Sequence, residues 1–216
     1  MNAPVVHLVD DDKRVLDALA RLLATEQICT VSSTSANQFL SRYDPTVPGC
    51  VVLDLAMPDE GGLTLQEKML DEQMTVPVVF LSGCDDVPAA VRAMKAGALD
   101  FLTKPVEAET FIDVVRYAIA RDVAQREHIE ATGAVRAALG TLTPREREIL
   151  PYLASGKLNK QIATDLGVVE KTVNVHRAHV MAKLHLGTRA ELVRFVERLH
   201  APAEAPAGRV GQMANR

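Results

Sequence analysis

Five short apolar runs, each followed by a longer amphipathic run, constrain the fold of this chain more than any other feature. VVHLV (5–9), CVVLD (50–54) and PVVFL (77–81) are almost entirely apolar. Two further runs, at 29–32 and 98–103, complete the alternation within the first 120 residues. Strands that are apolar on both faces are typical of a parallel sheet covered by helices on both sides. We therefore predict five β-α units in an α/β first domain.

The pattern changes after residue 122. Residues 123–137 are polar but compatible with a helix, which predicts a helical linker between a first domain at 1–122 and a second domain at 138–200. Only helical patterns occur in the second domain. Its first helix should begin with Thr143 as the N-cap and Glu146 completing a capping box, and Asn159 should cap its second helix. The Pro- and Gly-rich tail at 201–216 is expected to be disordered.

Net charge divides the chain in the same way. Residues 1–122 hold 10 Lys and Arg against 19 Asp and Glu, whereas residues 138–200 hold 10 against 6. A basic domain attached to an acidic one favours a different partner for each, with the basic domain directed at a polyanion.

Hydropathy and cysteine usage predict a cytoplasmic protein without membrane contact. No apolar run approaches the roughly 20 residues of a membrane span, and no secretory leader is recognisable at the start of the chain. The three cysteines, Cys29, Cys50 and Cys84, do not have the spacing of metal ligands. We interpret them as small buried hydrophobic residues in a reducing compartment.

Polar side chains stand at the ends of four of the predicted strands. Asp10 and Asp11 follow the first strand, Asp54 ends the third, Ser82 follows the fourth and Lys104 follows the fifth. Because sites in open parallel sheets lie beyond the carboxyl ends of the strands, we expect these groups to meet at one edge. Clustered carboxylates favour a hard cation such as Mg²⁺, and a carboxylate beside Mg²⁺ can attack phosphorus to give an aspartyl phosphate.

Each of these residues also has an ordinary explanation. The acidic run 10–12 could simply cap the first helix, with Asp12 as the cap. A single aspartate such as Asp54 is often a plain loop residue, and Lys104 could be a solvated surface lysine. The presence of five polar groups at four strand ends of one sheet favours a site.

The motifs around these positions identify a family. LVDDD (8–12), LDLAMPDEGG (53–62), FLSG (80–83) and AGALDFLTKP (96–105) occur in order and resemble the receiver domains of response regulators across residues 5–120. The resemblance implies a flavodoxin-like fold of the CheY type, with a five-stranded parallel sheet in the order 2-1-3-4-5.

The resemblance also implies roles for the strand-end residues. Asp54 would accept a phosphoryl group from a sensor histidine kinase, and Ser82 and Lys104 would contact that group. The peptide bond between Lys104 and Pro105 would be cis. The implied Mg²⁺ site consists of Asp10 acting through water, Asp11, Asp54 and the backbone carbonyl of Ala56.

A switch is implied by the same resemblance. Phosphorylation would draw the Ser82 hydroxyl inward, and Phe101 would rotate into the vacated space, although Phe101 could also be a plain core residue. Ala56 and Cys84 are smaller than the polar residues of many relatives, which leaves the lifetime of the phosphoryl group in doubt. The surface that would change is formed by 86–96, 99–103 and 107–120.

The second domain has the pattern of a helix-turn-helix. Gly167 suits the left-handed turn between the second and third helices, and Val173 and Val180 on the third helix are spaced to face a core. Asn can read adenine with two hydrogen bonds, and Arg can read guanine or hold phosphate. The side chains predicted on or near the outer face of the third helix are Lys171, Thr172, Asn174, Val175, Arg177 and Ala178.

LTPREREIL (142–150), NKQIATDLGV (159–168) and EKTVNVHRAHVMAKL (170–184) resemble the LuxR-type helix-turn-helix over residues 138–200. Together with the receiver motifs, they make the chain similar to the NarL/FixJ class, and to its FixJ branch. The resemblance implies base contacts by Asn174, Val175, Arg177 and Ala178, and phosphate contacts by Lys160, Lys171 and Lys183.

Alternatives remain for this domain. A basic helix pair is often only a solvated surface, and His176 and His179 have a spacing that could bind a metal. The apolar residues of the fourth helix, at 189–200, could either close the core or form a two-fold dimer contact.

The sequence therefore predicts a response regulator rather than an enzyme. Phosphorylation on Asp54 would promote homodimerisation and binding to double-stranded promoter DNA. Activation of transcription is favoured over repression, with RNA polymerase as a further candidate partner. Three alternatives stay open at this point. The chain could be a phosphatase with an aspartyl nucleophile, although Ala56 replaces the second acid; it could be a receiver that switches without phosphate; or it could act through protein contacts alone.

Overall fold

The computed structural model describes residues 3–58, 61–83 and 86–200, so Cys84 and the tail at 201–216 lie outside the described residues. Two compact units divide near residue 126. The strands are β1 (Val5–Val9), β2 (Cys29–Ser33), β3 (Gly49–Asp54), β4 (Val78–Ser82) and β5 (Asp100–Thr103). The helices are α1 (Lys13–Thr25), α2 (Ala36–Arg42), α3 (Gly62–Asp71), α4 (Val87–Lys95), α5 (Ala108–Gly140), α6 (Pro144–Ser155), α7 (Asn159–Leu166), α8 (Glu170–Lys183) and α9 (Arg189–His200).

The first unit is the predicted five-stranded parallel sheet. Its strand order is β2-β1-β3-β4-β5, which confirms the flavodoxin-like topology. Alternate residues of the central strands enter two separate apolar clusters. Leu53 and Phe80 pack with α2, α3 and α4 on one face, whereas Val52 and Val79 pack with α1 and α5 on the other. Burial on both faces explains why these strands have no polar alternation.

The residues predicted to form a linker, 123–137, lie inside the single helix α5. No glycine or proline interrupts the helix before Gly133. Buried Asp122 accepts hydrogen bonds from the Gly49 backbone N–H (2.9 Å) and from Arg126 (2.6 Å), and Arg126 also donates to the Pro45 carbonyl (2.6 Å). These contacts fix the last part of α5 that belongs to the first unit.

The second unit contains α6 to α9 around one apolar cluster. Thr143 caps α6 in a complete capping box with Glu146, as predicted, and Gly156 and Gly167 end α6 and α7 in the left-handed conformation. The expectation that Asn159 caps α7 is wrong. Leu158 occupies the cap position, and its N–H donates to Gln161 instead (2.9 Å).

The cysteine interpretation is correct only in part. Cys50 is fully buried, and burial, followed by the nearby charge of Asp122, raises the pKa of its thiol to about 12. Cys29 is exposed at the start of the edge strand β2, so it is not a buried hydrophobic residue. In the described part of the chain, no helix combines the length and the apolar character needed to cross a membrane.

Candidate functional site

The carboxyl ends of the strands bring the predicted polar residues to one edge of the first unit. The parallel register pairs Val9 with Leu53 and Asp54 with Leu81, so β1, β3 and β4 end at nearly the same level. Ser82 is fully buried and pairs with Thr103 of β5. The predicted convergence of these strand ends is therefore present.

Lys104 joins two carboxylates at this edge. Its Nζ lies 2.6 Å from Asp10 Oδ2 and 2.7 Å from Asp54 Oδ1, and both aspartates are buried. The other Asp10 oxygen accepts the N–H of Asp12 (2.8 Å), and the other Asp54 oxygen accepts the N–H of Ala56 (2.9 Å). A buried carboxylate needs such partners, because leaving it unpaired is costly.

The ammonium of Lys104 stays charged in this position. Burial alone lowers the pKa of Lys104, but hydrogen bonds and charge attraction from Asp10 and Asp54 outweigh that effect, and the net pKa is raised. The Lys104–Pro105 peptide bond is cis, and the Lys104 N–H donates to the Ser82 carbonyl (2.6 Å). Lys104 is therefore not a solvated surface lysine.

The helix-capping explanation of the acidic run applies only to its third member. Asp12 is the N-cap of α1 and accepts a hydrogen bond from the Arg14 backbone N–H (2.8 Å). Side-chain and backbone hydrogen bonds from Arg14 lower the pKa of Asp12 to about 2. Asp10 instead points at Lys104, and Asp11 is exposed beside it.

Phe101 is half-buried on β5 and stacks on Phe80, with ring centroids 6.1 Å apart and planes inclined by 25°. Phe80 itself is fully buried in the cluster that covers one face of the sheet. One face of the Phe101 ring therefore packs against the core, while another part of the side chain is exposed to solvent. This position is consistent both with core packing and with a movable ring.

The donors at this edge suit a hard cation. Asp10 and Asp54 supply carboxylate oxygens, Ala56 supplies a backbone carbonyl in an exposed loop, and the ammonium of Lys104 already bridges the two carboxylates as a cation would. Within the described ranges, no three His, Cys, Asp or Glu side chains converge as metal ligands. Asp11 would have to turn inward to complete the set predicted from the sequence.

In the second unit, α8 has the predicted inner and outer faces. Val173, Val180 and Leu184 are buried against α6, α7 and α9, and Met181 packs beside them. The residues predicted to read DNA lie elsewhere on the helix: Lys171, Asn174, Val175 and Ala178 are exposed, and Thr172 and Arg177 are half-buried.

The three lysines predicted to contact phosphate are not equivalent. Lys160 and Lys171 are exposed, at the starts of α7 and α8. Lys183 donates to Glu146 Oε2 (2.7 Å), and Glu146 is only 2% exposed. The same oxygen accepts the Thr143 N–H (2.8 Å), so Lys183 links the end of α8 to the capping box of α6.

Replacing Glu146 with Gln is expected to destabilise the second unit by about 2 kcal/mol at pH 7, because Gln can keep the capping box but loses the charge that binds Lys183. Hydrogen bonds from Lys183 and from the Thr143 N–H lower the pKa of Glu146 from 4.5 to about 2. A lowered pKa gives stability that is present above pH 4.5 and is lost as the pH falls toward 2.

Thermal unfolding of the two proteins between pH 3 and pH 7 measures this effect, and the difference in Tm should shrink below pH 4.5. Glu148→Gln on the same helix is the matched control. Glu148 is half-exposed and pairs with Arg145 at the surface, so its loss should change the Tm little. A Glu146→Gln difference that is constant over this pH range would contradict the assignment.

Asn159 is a residue of the second unit whose contacts the sequence did not reveal. Its side chain donates from Nδ2 to Asn174 Oδ1, and its Oδ1 accepts from the Arg177 guanidinium (3.3 Å). Helical periodicity assigns residues to faces of one helix, but it does not pair side chains on two helices. The position of Asn159 just before an apolar helical pattern suggested that it caps α7. A single sequence holds no signal for its contacts with Asn174 and Arg177 on α8.

Comparison with known proteins matches the two parts of the chain to two different domain families. Residues 6–116 match the family model of the response regulator receiver domain, and residues 140–196 match that of bacterial regulatory proteins of the luxR family. The chain is 37% identical over 195 residues to the response regulator protein TmoT of Ectopseudomonas mendocina, covering 90% of this chain and 89% of that protein. It is 40% identical over 190 residues to the transcriptional regulatory protein FixJ of Azorhizobium caulinodans, covering 88% and 90%.

Solved structures show the same likeness. The response regulator StyR superimposes with a TM-score of 0.82 at 37% identity, over 91% of this chain and 100% of that one. Full-length FixJ from B. japonicum has a TM-score of 0.58 at 32% identity, over 93% and 98%. The family consists of transcription regulators rather than enzymes, so the phosphatase alternative is wrong. The chain belongs to the NarL/FixJ family of two-component response regulators, in which a phosphorylated receiver controls a LuxR-type DNA-binding domain.

Proposed function

We propose that Asp54 is the phosphoacceptor through which a sensor histidine kinase controls this regulator. The supporting observation is the buried Asp54 carboxylate, held 2.7 Å from Lys104 at the carboxyl edge of the sheet. An Asp54 oxygen attacks the phosphorus of a phosphohistidine, the phosphorus–nitrogen bond breaks, and the imidazole nitrogen keeps the electron pair. Lys104 then pairs with a phosphoryl oxygen, and the Ser82 hydroxyl donates to another.

Receiver domains typically bind Mg²⁺ at the site of phosphorylation. In this chain the ion would be held by Asp11, Asp54 and the Ala56 carbonyl, with Asp10 acting through water. When bound, it supplies positive charge for the phosphoryl oxygens and for the crowded carboxylates. Lys104 supplies part of the same neutralisation through its contacts with Asp10 and Asp54.

The switch runs from Ser82 to Phe101. Phosphorylation adds negative charge beside Ser82, whose hydroxyl then turns toward the phosphoryl group. Phe101 moves into the space that Ser82 leaves and reshapes the surface of α4, β5 and α5. The half-buried position of Phe101 on Phe80 supports this role, since one face of the ring can slide on the core.

The changed surface carries an apolar stripe on α4. Val87, Val91 and Met94 are 67%, 46% and 43% exposed, and their spacing of four and three residues places them on one helix face. An exposed apolar stripe rimmed by polar residues is typical of a protein interface. We assign it to the homodimer formed on phosphorylation.

The dimer binds promoter DNA through one α8 helix per half-site. Base contacts come from Asn174, Val175, Arg177 and Ala178, with Thr172 beside them, and Lys160 and Lys171 contact phosphate. Lys183 reaches phosphate only with the part of its ammonium that Glu146 leaves exposed. Activation through contact with RNA polymerase, in the cytoplasm where promoter DNA is available, completes the proposal.

Beryllofluoride with Mg²⁺, a mimic of the phosphoryl group, is expected to convert the full-length chain from monomer to dimer and to tighten its binding to a selected operator. Analytical ultracentrifugation measures the first change, and a mobility-shift titration at fixed salt measures the second. If neither changes, the proposed coupling of phosphorylation to assembly is wrong.

Val91→Asp is expected to keep this protein monomeric under the same conditions, because it places like charges against each other across a two-fold interface. Leu70→Asp is the matched control. Leu70 is 51% exposed on α3 and is not part of the stripe, so its replacement should leave dimerisation unchanged. Equal dimerisation of both variants would exclude the α4 stripe as the interface.

A further inference from the structure

Asn159 connects the scaffold helix α7 to the recognition helix α8. It is the first residue of α7, and its side chain does not cap that helix. It bonds instead to Asn174 and Arg177, which lie three residues apart on α8. Both of these partners belong to the set predicted to contact bases. Asn159 therefore contacts two base-reading side chains from outside the recognition helix.

The chemistry of Arg177 fixes the direction of both hydrogen bonds. A guanidinium has only donors, so the Asn159 atom that faces Arg177 must be its oxygen, Oδ1. The Asn159 amide nitrogen then faces Asn174, and it requires an acceptor there. Asn174 must turn its own oxygen toward α7. One arginine thus settles the orientation of two amides whose oxygen and nitrogen are otherwise easily exchanged.

This orientation decides what Asn174 offers to DNA. Its Oδ1 is engaged by Asn159, and its Nδ2 carries two N–H donors on the other side of the amide, on an exposed part of α8. Donors suit the acceptors that guanine, thymine and the N7 of adenine present in the major groove. Cytosine presents a donor there, so it is the base that this arrangement disfavours most. The two-bond contact with adenine considered from the sequence needs the Asn174 oxygen to accept from the adenine N6 amino group, and Asn159 already engages that oxygen.

We propose that Asn159 is a positioning residue for DNA recognition, which holds Asn174 as a hydrogen-bond donor and aligns Arg177 beside it. This inference rests on the proposed binding of promoter DNA by α8. Arg177 spends one of its five N–H donors on Asn159 and keeps the others for guanine or phosphate. Because the alignment exists before DNA binds, less side-chain freedom is lost on recognition.

Selection from random double-stranded DNA tests this proposal with the full-length chain activated by beryllofluoride and Mg²⁺. Asn174→Ala and Arg177→Ala first identify the base pair that each side chain reads. At the base read by Asn174, the unaltered protein should exclude cytosine. Asn159→Ala should weaken the preference at both base pairs by about tenfold each, toward the lower end of the discrimination that a good base contact provides.

Asn159→Asp separates the two contacts. Its carboxylate accepts from Arg177 but has no N–H for Asn174, so the preference at the Arg177 base pair should persist while the other is lost. Lys160→Ala is the control on the same helix, and it should weaken binding to all sequences alike without altering the selected sequence. Circular dichroism melting checks that every variant is folded.

The outcomes are distinguishable. If the unaltered protein enriches no sequence, the proposed function fails, whatever the variants do. If it enriches a sequence and both Asn159 variants select that sequence with unchanged preference, the positioning role is wrong while DNA binding stands. Enrichment of cytosine at the base read by Asn174 would likewise overturn the assigned orientation.

Discussion

Replacing Asp54 with Asn is expected to reduce phosphorylation by acetyl phosphate to background. The variant keeps the size of the side chain and can still accept from the Ala56 N–H, but an amide oxygen is not a nucleophile toward phosphorus. The contact with Lys104 also loses its ionic component. Incorporation of radiolabelled phosphate from acetyl phosphate, in the presence of Mg²⁺, measures the effect directly.

Asp12→Asn is the matched control for this experiment. Asp12 belongs to the same acidic neighbourhood, but it caps α1, and Asn is an equally good N-cap. Its labelling should stay close to that of the unaltered protein. Undiminished labelling of Asp54→Asn would refute the assignment. Loss of labelling in both variants would show that labelling depends on the negative charge around the site and does not identify Asp54 as the acceptor.

Much of the first unit was predictable because its strands are buried on both faces. A parallel strand in that position consists almost entirely of apolar residues, as at 50–54 and 77–81, and the chain order of such runs limits the possible topologies. The carboxyl ends of the strands then place Asp10, Asp54 and Ser82 at one edge, whatever the details of packing. The position of the candidate site follows from topology alone.

Contacts between separate elements were not predictable in the same way. The bond of Lys183 to Glu146 joins residues 37 positions apart, and that of Gly49 to Asp122 joins residues 73 apart. A hydropathy pattern records which face of an element is buried, but it does not record which polar groups meet across elements. Exposed Cys29 shows the same limit, because its neighbours in the edge strand β2 are only partly covered.

The predicted linker illustrates a related limit. Residues 123–137, which the sequence predicts as a helical linker, are polar because they lie on a helix with much exposed surface, and polarity alone does not show that this helix starts as far back as Ala108. Asp122 and Arg126 hold the end of the part of α5 that belongs to the first unit, at the junction that composition marked as a domain boundary. Asp122 is only 1% exposed, and composition alone does not reveal a buried carboxylate at such a boundary.

Asp122→Ala is expected to lower the stability of the first unit by about 3 kcal/mol, the lower end of the cost of breaking a buried charge pair. The change leaves the Gly49 N–H at the start of β3 without its acceptor and removes the carboxylate that binds Arg126. With a typical urea slope of about 2 kcal/mol per M, the unfolding midpoint should fall by about 1.5 M. Urea titration of the full-length chain, followed by hydrogen exchange of the β1 and β3 amides, measures this shift.

Asp113→Ala is the control on the same helix. Asp113 is exposed on α5, so both variants gain the same helix propensity while only Asp122→Ala loses buried contacts. The control should leave the midpoint nearly unchanged. Asp122 also positions Arg126, which donates to the Pro45 carbonyl. The loss of Asp122 should therefore weaken this second contact and release the end of α5, with faster exchange of the amides at 122–126 than in the control. Equal midpoints for the two variants would show that the buried carboxylate does not hold α5 to the sheet.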